Sequence, residues 1–305
     1  MSVMSNTSSG RGGVGISAAA PRPRHPGGKI ATSDRTFNGV GWVVLVVAAI
    51  AWLIPSLWAL KTSFTSNGTS AIGAQAILKD WHLTLDSYIT LIKGGDLWNW
   101  YLASAVTGVV TVFLTVFTCS LAAFALSRMD FRGKKWAMGA ILVGIMIPGQ
   151  VLIVPLFAEL NQMGILGTYW AVILPQVPQV IAVFVFKRFF DGLPRDFEEA
   201  ARIDGASWWR VYTSVILPLA RPVIAAMSIV TFVWVWNNLL LPLFVLSNPK
   251  LMTIPVGLAT VQGSFGQRVS DIQASSVLGA LPLVVLFLIF QRQVVEGVAG
   301  SGLKG

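Results

Sequence analysis

The densest group of side chains able to do chemistry lies between residues 187 and 221, where eleven charged groups follow an order that predicts a helix capped at both ends. Pro194 suits a first helical turn. Asp196, Glu198 and Glu199 would lie in that turn, where the helix dipole favours anions. Arg202 follows Glu198 at i, i+4, and Gly205 falls where a left-handed C-terminal stop is needed. Phe197, Ala200, Ala201 and Asp204 share one narrow face, and two alanines there would let another protein's surface approach closely. A second short helix is expected from Ser207, carrying Trp208 and Trp209 at the interface and ending before Pro218 and Pro222. These features suit a docking helix; they equally suit a capped, solvated loop.

Polar residues elsewhere sit in apolar runs, where they are costly unless they face protein or water. Gln150 follows Pro148-Gly149, Gln176 and Gln179 interleave with Pro175 and Pro178, and Asn237 and Asn238 sit beside Trp234 and Trp236. Each proline frees a carbonyl that lipid cannot satisfy. Amides near aromatic faces would suit a neutral polyhydroxyl ligand, with Trp234 and Asn238 sharing a face at i, i+4. The plainer reading is an interhelical hydrogen bond. Catalysis finds no such support. Cys119, His25 and His82 form no metal cluster, and the two histidines fall on opposite sides of the expected membrane. Gly133-Lys134-Lys135 lacks the upstream glycine and the hydroxyl of a nucleotide-binding loop. The chain is not expected to be an enzyme.

The elements that must position these residues are membrane helices. Of 305 residues, 54% are apolar and only 11% charged, with mean hydropathy +0.70. A soluble surface needs about a quarter charged residues. Six apolar runs, at about 40–60, 102–126, 136–158, 166–186, 223–246 and 274–290, are each long enough to cross roughly 30 Å of hydrocarbon as helix. Residues 1–36 are Gly-, Ser-, Ala- and Pro-rich, expected to be a disordered cytoplasmic tail, and the first run is expected to be an uncleaved span. With the N-terminus inside, seventeen of the twenty-two Lys and Arg fall on the cytoplasmic side, which favours an N-in, C-in topology. The net charge of +9 is then a matter of orientation, with no nucleic-acid role expected. The expected outer loops are 61–101, whose tryptophans and tyrosines would anchor at the interface, the tiny 159–165, and the Gly-rich 247–273.

Glu199-Ala200-Ala201, a gap of three, Gly205, a gap of nine, then Val215-Ile216-Leu217-Pro218 is similar to the EAA signature of the membrane subunits of ATP-binding-cassette importers. Val215 stands where Ile is usual. Residues 236–243, 253–258, Gln291-Arg292 and 302–305 resemble the smaller permease subunit of maltose-type sugar importers, and the likeness covers about residues 40–305. Asn238 departs from it, standing where many relatives carry a carboxylate.

The resemblance implies an all-α integral membrane protein with six transmembrane helices, a type I ABC importer transmembrane domain at 102–290 and a cytoplasmic segment at 291–305. It makes 194–210 the coupling-helix region, with Glu199, Ala200, Ala201, Asp204 and Gly205, together with Leu217 and Pro218, coupling to an ATPase. Implied partners are a second homologous permease, a cytoplasmic ATPase dimer holding the ATP and magnesium, an extracytoplasmic solute-binding protein met near 247–273, and the lipid bilayer. Residues 302–305 would also touch the ATPases. The chain itself would hold no cofactor. The implied function is sugar import by alternating access in a bacterial or archaeal cytoplasmic membrane. Rivals are an importer for a polyol or glycerol phosphate, and a membrane scaffold subunit.

Overall fold

Proline and glycine decide where the apolar runs of this chain stay straight and where they break. The computed structural model describes residues 33–66, 83–94, 96–265 and 268–302. Expectations for residues 1–32, His82 and residues 303–305 lie outside these. Two units are distinguished, residues 1–53 and 54–305. The described part of the first is the apolar beginning of α1 (Ser33–Ser63).

The second unit continues with α2 (Asp86–Lys93), α3 (Leu97–Arg128), α4 (Lys134–Met146), α5 (Ile153–Gln162), α6 (Tyr169–Gln176), α7 (Val180–Asp191) and α8 (Asp196–Ile203). Then come α9 (Trp208–Leu219), α10 (Arg221–Trp236), α11 (Leu240–Val245), α12 (Ile254–Phe265) and α13 (Val269–Gly302). Among the described residues the only extended pairing is an isolated bridge between Thr65 and Leu83.

By length and composition three helices can cross a membrane alone: α1 from Gly39, α3, and α13 as far as Gln291. Three pairs qualify only if each is one bent span, raising the number to six. The first is α4 with the segment Gly149–Gln162, bent by 92°; the second is α6 with α7, bent by 46°; the third is α9 with α10, bent by 79°.

The runs at 136–158, 166–186 and 223–246 are therefore not the single helices the sequence suggests. Pro148 and Pro178 lack the N–H a continuing helix needs; before Pro148 the chain turns extended, with Ile147 at φ −90°, ψ 115°, whereas before Pro178 Val177 stays helical at φ −67°, ψ −47°. Between α10 and α11 the break falls at residues 237–239, where in a continuous helix Pro242 would clash with the carbonyl four residues earlier, that of Asn238. Two loops hold helices instead: α3 begins at Leu97 within the loop expected to reach residue 101, and α12 occupies the middle of 247–273.

Helix α3 lies against α6, α7, α10 and α12. Its buried face is built of small residues, Ala103, Ser104, Thr107, Gly108, Thr111, Thr115, Cys119, Ser120 and Ala123, which let backbones approach closely where no hydrophobic drive joins helices in lipid. A Cβ on Gly108 would sit 2.9 Å from the Phe232 ring. Near the Arg128 end of α3, Phe124, Phe186, Phe190, Tyr212 and Ile216 form one core cluster. Near the Leu97 end, Leu97, Trp100, Trp236, Ile254 and Leu258 form another. Trp100 is thus a core residue rather than an interface anchor, and its indole N–H donates to the Pro249 carbonyl at 2.7 Å.

Candidate functional site

The charged segment folds into a short hairpin. Helix α8 starts at Asp196, so Pro194 precedes the helix instead of occupying its first turn. Asp196, Glu198 and Glu199 do lie in that turn. At the other end Gly205 adopts φ +81°. Its N–H donates to the Arg202 carbonyl at 3.0 Å and the Ala206 N–H to the Ala201 carbonyl at 2.9 Å, the paired bonds of a glycine stop. The chain reverses there, and the Ser207 hydroxyl caps α9 by accepting the Arg210 N–H at 3.3 Å. Arg202 donates to the Ala206 carbonyl and lies 4.6 Å from the Trp208 ring centre, bracing the turn.

The expected Glu198–Arg202 pair does not form. Glu198 turns inward, 6% exposed, and pairs with Arg128 at 3.4 Å. Arg128, equally buried, also donates through Nη2 to the carbonyls of Phe190 and, at 2.8 Å, of Leu193. The neighbouring Ser127 hydroxyl donates to Asp191 at 2.6 Å, and Lys187 meets the other oxygen of Asp191 at 2.7 Å. The ends of α3 and α7 and the start of α8 are thereby tied together. Removing one member of a buried ion pair costs about 3–5 kcal/mol, because the other charge is left uncompensated.

The same inward turn splits the face expected to carry Phe197, Ala200, Ala201 and Asp204. Ala201 packs against the cluster around Phe124 and Phe186, while Glu199, Ala200, Asp204 and Gly205 stay exposed. Phe197, at 51% exposure, and Ile203, at 86%, add an apolar component to that open surface. Leu217 is half-buried against the core, and Pro218 is exposed. Within α9, residues 212–216 wind as a wider π-turn, at the place where Pro218 offers no N–H to the carbonyl of Ser214.

The pathway candidates divide into two sets. Gln176 and Gln179 flank the break between α6 and α7, and Asn238 lies at the break between α10 and α11. The Asn238 amide donates to the Gln176 side-chain oxygen at 2.8 Å, and the Thr231 hydroxyl to that of Gln179 at 3.2 Å. Gln176 donates in turn to the Val172 carbonyl, and Gln179 to that of Gln176. At the break itself the Val177 carbonyl accepts from Thr115 at 3.0 Å and from the Cys119 thiol at 3.7 Å. Gln150, Trp234 and Asn237 take no part in this seam. Trp234 is 60% exposed, and the break after Trp236 removes the helical register that would have aligned it with Asn238. No group of three potential metal ligands exists among the described residues.

Residues 116–295, which contain both the hairpin and the seam, match the family described as the inner membrane component of binding-protein-dependent transport systems. The chain belongs to that family. It is 38% identical over 224 residues to the arabinooligosaccharides transport system permease protein AraQ of Halalkalibacterium halodurans, covering 73% of this chain and 80% of AraQ. It is 32% identical over 270 residues to the trehalose transport system permease protein SugB of Mycobacterium tuberculosis, covering 87% of this chain and 97% of SugB. Among solved structures, it shares the fold of a chain from a bacterial ABC transporter involved in the import of the acidic polysaccharide alginate, with TM-score 0.72 at 20% identity, over 86% of this chain and 98% of that one.

As a transport-system membrane component, the chain has a multi-pass helical body. Two of its positioning residues escape the sequence. Arg128 reads there only as part of a basic loop, since its partner lies 70 positions away, and Thr115 reads as one polar residue within an apolar run, 62 positions from the carbonyl it satisfies.

Proposed function

We propose that this chain is a permease subunit of an ATP-driven, binding-protein-dependent sugar importer and forms half of the translocation pathway. Its six spans are α1, α3, α4 with α5, α6 with α7, α10 with α11, and α13, with both termini in the cytoplasm of a bacterial or archaeal cell. The α8–α9 hairpin docks on a cytoplasmic ATPase through Glu199, Ala200, Asp204 and Gly205, with Ala201 seating α8 on the body and Leu217 and Pro218 carrying its motion into α10. ATP and magnesium belong to that ATPase dimer. A second homologous permease completes the cavity, and an external binding protein delivers the solute near α12. Closure of the ATPases rocks the spans between outward- and inward-open arrangements.

The observation that carries this reading is the hairpin: a short acidic helix with one residue buried in an ion pair and its open surface presenting Glu199, Ala200 and Asp204 beside exposed Phe197 and Ile203. The carbohydrate assignment is supported by the names of the relatives and by the neutral character of the Gln176–Gln179–Thr231–Asn238 seam. Such groups suit hydroxyl-rich solutes, whereas a phosphate ester calls for cations. Reconstitution in liposomes with the partner permease, ATPase and binding protein tests it. ATP-dependent uptake of a labelled oligosaccharide is expected; ATP hydrolysis with no uptake of any sugar the binding protein holds would refute it.

A further inference from the structure

We infer that Arg128 and Glu198 form a clamp that fixes the angle at which α8 stands on the membrane body, so that displacement of α8 is delivered first to α3. The inference rests on the coupling reading above and goes beyond it, because neither residue belongs to the surface assigned to the ATPase.

The geometry is specific. Arg128 ends α3, and one guanidinium nitrogen bonds the Glu198 carboxylate while the other bonds two carbonyls, those of Phe190 at the end of α7 and Leu193 just beyond it. Three segments thus meet on one planar fork, which a lysine cannot reproduce because its ammonium is a point charge on a flexible stem. Both side chains are buried, at 2% and 7% exposure. Burial makes the pair a poor source of net stability, since desolvation offsets most of the attraction, and leaves fixing one arrangement as its best-attested use.

Position along the chain points the same way. Glu198 immediately precedes Glu199, so a rotation of α8 that moves the open surface must also move the clamp. Arg128 lies on α3, which packs against α6, α7 and α10 and whose Thr115 holds the carbonyl at the α6–α7 break. A push on α8 therefore reaches the polar seam through one continuous helix. Covalent routes also leave α8, to α7 through residues 192–195 and to α10 through Gly205 and the π-turn of α9.

The test uses the complete reconstituted importer and reads solute moved per ATP hydrolysed. Glu198→Gln keeps the shape and the acceptor oxygen but removes the charge. It is expected to lower that ratio by about twofold to thirtyfold, with the ATPase still co-purifying although the lost charge lowers the unfolding midpoint. Arg128→Lys, which keeps the charge and loses the fork, is expected to lower it as well. An unchanged ratio in Glu198→Gln overturns the clamp. So does failure of both variants to assemble, which would assign the pair to folding alone. The wild-type importer measured alongside separates the two readings: uptake there with an unchanged variant ratio removes the clamp only, whereas no uptake in the wild type removes the function on which it rests.

Discussion

Gly205 shows how a single backbone angle controls the hairpin. At φ +81° an L side chain is strained by its own carbonyl, and since nothing lies within 4 Å of a Cβ built there, the strain is entirely conformational. The left-handed region costs an ordinary residue roughly 1–2 kcal/mol, more when branched at Cβ. Gly205→Val should therefore reopen the turn after α8 and reduce uptake several-fold while membrane insertion, followed by expression in the membrane fraction, stays intact. Gly205→Asn, which tolerates this region, should retain most of the uptake. Equal uptake in all three proteins would contradict a role for the turn. This residue was legible in the sequence because a helix stop is a local matter of spacing. Glu198 was not. Its sequence neighbourhood offers Arg202 at i, i+4, whereas a buried carboxylate takes the partner that is also buried, and Arg128 becomes that partner only once α3 and α7 pack side by side.

Among the elements, the six apolar runs were visible, and so were the prolines, but not what the prolines do. Pro55 and Pro282 sit inside helices that continue through them, while Pro148 and Pro178 accompany breaks and Pro242 follows one. Side chains satisfy freed carbonyls at continuous and broken points alike, since Tyr101 donates at 2.7 Å to the Leu278 carbonyl that Pro282 frees. At the α6–α7 break Thr115 and Cys119 supply those donors from another helix. The amide joining Asn238 to Gln176 links that break to the one after α10, so the two irregular points hold each other. Asn238→Leu should remove this bond and the one from the Leu241 N–H to the Asn238 oxygen, at about 1–2 kcal/mol in total. The expected result is a lower unfolding midpoint for the purified complex in detergent; an unchanged midpoint would show that the breaks are held by packing alone. The small-residue face of α3 was likewise readable as composition but not as a surface. Which helix Gly108 admits depends on Phe232, far away in sequence.

For the molecule as a whole, composition and the placement of lysines and arginines were sufficient to expect a helical membrane protein and one sidedness for it, because lipid and the membrane's charge rule act on every residue alike. The long apolar faces of the helices, with Phe113, Trp136, Met146 and Val154 largely exposed, match that solvent. What composition could not specify is how the eight-residue helix proposed to couple to the ATPase is attached to the body. The most direct measurement is site-specific cross-linking from Ile203, which is 86% exposed on α8. With a photoreactive residue at position 203 in the assembled importer, the account predicts a covalent adduct with the cytoplasmic ATPase whose yield changes when ATP is bound. An adduct formed only with lipid, or labelling of position 203 by an impermeant reagent from outside intact cells, would contradict it.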